Sequence, residues 1–83
     1  MLNVLYFASL RETVGMANEQ ISLPVPAEVS ALIAALRARG GVWSEALGAD
    51  KRWRVAVNQE MAAMNTPLKP GDEVAIFPPV TGG

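Results

Sequence analysis

Val29, Leu32, Ile33 and Leu36 recur at the i, i+3, i+4, i+7 spacing of an amphipathic helix, the clearest helical stripe in the sequence. The spacing predicts a helix over residues 28–39. Arg37 and Arg39 fall in its last turn, where cations suit the negative end of the helix dipole, and Gly40-Gly41 can supply a left-handed cap. The start has no capping side chain: Pro26 and Ala27 stand where Ser, Thr, Asp or Asn would be favoured, which leaves Glu28 near the first turn. One such helix covers only one face of a layer, so the rest of the chain must supply a sheet.

The flanking segments have strand chemistry. Residues 2–8, with Val4, Tyr6 and Phe7, suit a largely buried strand. Residues 9–15 carry Arg11 and Glu12, end at Gly15, and read as a loop or a single helical turn. Residues 19–23 alternate Ile21 and Leu23 with polar side chains until Pro24 stops them. Residues 42–50 have no clean period and read as an irregular connection, in which Trp43 and Leu47 can anchor a short helical turn. Strand chemistry returns over residues 53–57, and Asn58-Gln59 turns the chain into a short hairpin segment with Met61 and Met64. Lys69-Pro70-Gly71-Asp72 places Pro before Gly in type II order, ahead of a last strand over residues 73–77.

Strand, strand, helix, connection and returning strands make an α+β chain on the β-grasp plan: a mixed sheet with one main helix packed on one face. Its first and last strands can then pair as parallel central neighbours. All 83 residues form a single expected domain, with residues 78–83 as an extended C-terminal tail.

Missing residues narrow the chemistry. The sequence contains no cysteine and no histidine, which removes a disulfide framework, a Cys/His zinc site, a cysteine nucleophile and a Ser-His-Asp triad. No bound metal is expected. Seven basic and eight acidic residues, net charge -1, form no long run of either sign, which argues against nucleic acid as a partner. No apolar run approaches the roughly 20 residues of a membrane span, and Met1-Leu2-Asn3 lacks the positive lead of a secretory signal, so a cytoplasmic protein without membrane contact is expected. A domain of this length buries only roughly 60% of its unfolded surface, which favours association with a larger partner.

The tail offers the remaining chemistry. Pro78-Pro79 removes two backbone donors and sends the chain out of the sheet in extended form. Val80 and Thr81 form a short stem that an extended groove can grip, while Gly82 and Gly83 have no Cβ and fit a narrow slot. The group presented is the Gly83 carboxylate. The plain alternative, that Gly82-Gly83 is an ordinary loose terminus, stands beside it.

The segment Gly71-Asp72-Glu73-Val74-Ala75-Ile76-Phe77-Pro78-Pro79-Val80-Thr81-Gly82-Gly83 resembles the C-terminal signature of the small, sulfur-carrier subunits of molybdopterin synthase, a ubiquitin-like family. Tyr6-Phe7-Ala8-Ser9-Leu10-Arg11-Glu12 with Gly15, and Val55-Ala56-Val57-Asn58-Gln59-Glu60, extend the likeness over nearly the whole chain. The resemblance implies that an ATP-dependent activating enzyme adenylates Gly83 and that sulfur then displaces AMP to leave a thiocarboxylate. It further implies that residues Pro79, Val80, Thr81, Gly82 and Gly83 enter the large catalytic subunit and deliver sulfur to the dithiolene of molybdopterin. No cofactor is expected to stay bound to the carrier, ATP being used by the activating enzyme. A heterotetramer of two small and two large subunits is the assembly the family suggests.

By the same resemblance Phe7, Met61 and Phe77 form an apolar docking surface; Arg11 and Glu12 read either as polar contacts around it or as a solvated charged pair worth little energy. Core packing is the competing reading for all three apolar residues, and Met61, next to Glu60 in a short hairpin, separates the two best. Asp72 and Glu73 are adjacent and so point to opposite faces of a strand, which favours a turn role over a carboxylate pair. Trp43 and Trp53 read as packing residues. Three functional alternatives stay open: a carrier for thiazole synthesis, a ubiquitin-like modifier of target lysines, and a passive interaction module.

Overall fold

A computed structural model describes residues 1–48 and 52–78. The elements are β1 (Leu2–Tyr6), α1 (Ala8–Val14), β2 (Asn18–Ile21), α2 (Val29–Arg37), α3 (Val42–Ala46), β3 (Arg54–Val57), β4 (Glu60–Met61) and β5 (Glu73–Phe77). The strands form one sheet in the order β2-β1-β5-β3-β4. β1 and β5 lie side by side in parallel at its centre, with Val4 opposite Val74 and Tyr6 opposite Ile76, and every other pairing is antiparallel. This is the expected β-grasp arrangement.

Alternation along the strands separates two faces. Leu2, Val4, Tyr6, Val55, Val74 and Ile76 are buried on the inner face, where Leu10, Val29, Leu32, Ile33, Leu36 and Leu47 from the helical side join them in one core. α2 supplies the four residues of the predicted stripe.

The missing cap of α2 is replaced from elsewhere in the chain. Glu28 is the N-cap but makes no side-chain cap bond. Instead the Val29 and Ser30 N–H groups donate to the carbonyls of Thr66 (3.1 Å) and Met64 (2.8 Å), and the Leu68 N–H donates to Ala27 (2.8 Å). Donors that a helix start leaves unpaired are thus satisfied by a loop more than thirty residues away. At the other end α2 stops at Arg37 on a right-handed Ala38; Gly40 is left-handed, but Gly41 (φ 56°, ψ -130°) begins α3 and takes no part in closing α2.

Several boundaries differ from the sequence reading: β2 spans Asn18–Ile21 rather than residues 19–23, α2 spans Val29–Arg37 rather than residues 28–39, and Val42–Ala46 of the expected irregular connection form the short helix α3. The first strand ends at Tyr6, short of the expected residue 8, because Leu10 drops into the core and draws the chain into α1. Residues 9–15 are therefore a helix and its cap, with left-handed Gly15 donating to the Arg11 carbonyl at 3.0 Å. Trp53 lies outside β3, its indole N–H donating to the Gly48 carbonyl at 3.2 Å.

Candidate functional site

β5 controls where the tail begins. Hydrogen-bonded to β1 on one side and β3 on the other, it is held in the middle of the sheet up to Phe77. Partly buried Pro78 follows and cannot donate to a ladder. Pro79, Val80, Thr81, Gly82 and Gly83, the residues expected to insert into a partner and to carry the reactive carboxylate, lie outside the described residues.

The start of β5 is anchored just as firmly. Asp72 accepts from the Lys69 N–H (2.8 Å) and from the Asn58 side-chain amide (3.0 Å), and these bonds hold its carboxyl below the usual range, the Asn58 bond most. The Asp72 N–H donates to the Lys69 carbonyl (3.1 Å) across left-handed Gly71 (φ 89°), as a type II turn requires. Asp72 thus has the turn role, and the Asn58-Gln59 hairpin, with φ of 51° and 69°, is tied to the same corner.

On the open face of the sheet the register lays out rows. Asn3 and Glu73 lie side by side in a polar row. Leu5, Ala75, Ala56 and Met61 follow one another across β1, β5, β3 and β4 in the next. Phe77 and Arg54 are paired in the last, and Phe7 stands one residue past the Tyr6–Ile76 pair, its N–H donating to the Ile76 carbonyl at 3.2 Å. Phe7 is 46% exposed and Met61 65%, whereas Leu5, Ala56, Ala75 and Phe77 are half-buried. The core-packing alternative therefore fails for Phe7 and Met61. Phe7, Met61 and Phe77 share one mostly apolar face that no described residue covers, at the root of the tail.

Arg11 and Glu12 are exposed on α1. The sequence reading missed Arg54, although alternation along Arg54–Val57 was the available signal: Val55 and Val57 face inward, so Arg54 and Ala56 face outward.

It also missed a polar cluster on the helical side. Arg39 forms a bidentate ion pair with Glu19 (2.8 and 2.9 Å) and lies over the Trp43 ring, 4.6 Å from its centroid. Tyr6 donates its hydroxyl proton to Glu19 (2.7 Å) and meets Trp43 edge to face at 5.4 Å. Burial, then the bond to Glu19, pushes the Tyr6 phenol up, while the Arg39 hydrogen bond holds the Glu19 carboxyl below its usual range. These groups satisfy one another and are packing features. Among the described residues no group of three His, Cys, Asp or Glu could hold a metal ion, and no helix is long and apolar enough to cross a membrane.

Comparison with known proteins places this geometry. The ThiS family model matches residues 4–83. The chain is 43% identical to the molybdopterin synthase sulfur carrier subunit of Escherichia coli, over all of both chains. Among solved structures, a putative molybdopterin converting factor subunit 1 from Pyrococcus furiosus superposes with a TM-score of 0.79 at 30% identity, covering 95% of this chain and 97% of that one. A chain in the complex of subunits 1 and 2 of the molybdopterin-converting factor from Helicobacter pylori gives 0.70 at 29% identity, covering 99% and 97%. The chain belongs to the ThiS family, and its fold is the ubiquitin-like β-grasp.

Proposed function

We propose that this chain is the sulfur-carrier subunit of a molybdopterin synthase and acts in the cytoplasm. The observation that carries the reading is 43% identity to a relative of that name over an alignment of 83 residues that covers both chains. The fold supports it by setting an apolar face that no described residue covers beside the root of the tail, so that one partner can hold the domain and receive residues 79–83 together.

In this reading a carboxylate oxygen of Gly83 attacks the α-phosphate of ATP on a separate activating enzyme and pyrophosphate leaves. Sulfide (HS⁻) from the sulfur donor then attacks the acyl carbon, the C–O bond to AMP breaks, AMP leaves and a proton is lost, which yields the thiocarboxylate. Activation is needed because a free carboxylate is a poor acyl donor until a good leaving group is attached. Phe7, Met61 and Phe77 dock the large subunit, with Arg11 at the margin. Pro79, Val80 and Thr81 guide the tail inward, and Gly82 lets it pass a narrow slot. The large subunit supplies the catalytic groups, and the domain's own part is to present the sulfur and hold its position.

The test is the intact mass of the chain after incubation with its activating enzyme, ATP and a sulfur donor. The full chain is expected to gain the mass difference between oxygen and sulfur, and a chain lacking Gly83 to gain nothing. No gain from an enzyme proven competent on another carrier refutes the proposal.

A further inference from the structure

Arg54 is the one charged residue in the two apolar rows of the open face, paired in register with Phe77, the last strand residue before the tail. It is exposed, and among the described residues its guanidinium donates only to the carbonyl of neighbouring Trp53, at 3.4 Å, while the ion pair found among them belongs to Arg39 and Glu19.

A partner that covers Phe77 must also cover the residue beside it, since paired residues of adjacent strands stand only about 5 Å apart. Covering a guanidinium strips its water, which is unfavourable unless an acceptor replaces that water. The planar fork of arginine is matched best by a carboxylate held bidentately. Resting on the docking reading above, we propose that Arg54 is a specificity residue of this face, and that the large subunit presents a carboxylate to it beside the opening that receives the tail. A subunit with an apolar or basic residue there would be rejected through the unpaired charge, even where its apolar surface fits Phe7, Phe77 and Met61.

The test measures affinity of the full chain for its own large subunit by biolayer interferometry, comparing wild type with R54K, R54L and R54E at low and high salt. Circular dichroism checks each fold. R54L is expected to weaken binding at least about tenfold and R54E further, while R54K, which keeps the charge but loses the bidentate fork, falls between wild type and R54L. Wild-type affinity should also fall more steeply with salt than that of R54L. R54L binding as tightly as wild type, with the same salt dependence, overturns the proposal; should R54L lose its fold, R54Q is held to the same criterion. Failure of the wild-type chain itself to bind is a distinct result, which removes the docking reading and this inference with it.

Discussion

Replacing Phe7 by alanine should separate docking from folding. At 46% exposure, a side chain of the usual aromatic size leaves roughly 70–110 Å² open to a partner. Covering that area at about 25 cal/mol per Å² contributes about 2–3 kcal/mol, of which the alanine Cβ retains a part. A loss of about 1.5–2 kcal/mol remains, a roughly ten- to thirty-fold rise in the dissociation constant for the large subunit. Met61→Ala, at 65% exposure, should weaken binding in the same direction. Val25 is 96% exposed but lies in the loop between β2 and α2, so Val25→Ala serves as the control that leaves binding unchanged. Isothermal titration calorimetry gives the affinities and thermal melting checks that each variant remains folded. Unchanged affinity in folded Phe7→Ala and Met61→Ala would refute the assignment of the open face as the docking surface.

Stability predictions follow from the polar clusters. Tyr6→Phe removes the hydroxyl from Glu19 but keeps the ring contact with Trp43, and should cost about 1 kcal/mol, about 4–8 °C in melting temperature. Glu19 and Asp72 both have carboxyls held below their ordinary values, so their contribution is complete above the unfolded-state pKa and is lost as pH falls through the folded one. Urea midpoints should therefore fall on acidification below about pH 4, and Glu19→Gln should flatten that fall. Gln59 sits at φ 69° in the hairpin turn, and Gln59→Gly should stabilise the domain by about 0.5–1 kcal/mol, read as a higher melting temperature.

The helical stripe of α2, the strand character of β1 and β5 and the hairpin at Asn58-Gln59 were legible because each depends on a local pattern: a period of 3.6, a run of strand formers, a pair of turn residues. α1 was not legible, since a seven-residue helix with Leu10 as its one buried residue has little periodicity to read and depends on the core that receives that side chain. The start of α2 showed only a missing cap, because the carbonyls that complete it come from Met64 and Thr66. Arg39 illustrates the same limit: its position in the sequence suggested a helix-end cation, yet it lies beyond the end of α2 and its partners are Glu19 on β2 and Trp43 on α3.

For the site, the sequence by itself determined the composition of the tail, the absence of cysteine and histidine, and the family resemblance of the residues around it. Whether Phe7 and Met61 were core or surface was decided only by the tertiary structure, as was the grouping of Arg54 with Phe77. The physical reason is that a strand's period of two fixes which residues share a face, while only the pairing of strands and the side on which the helices pack determine which face is covered and which is left for a partner.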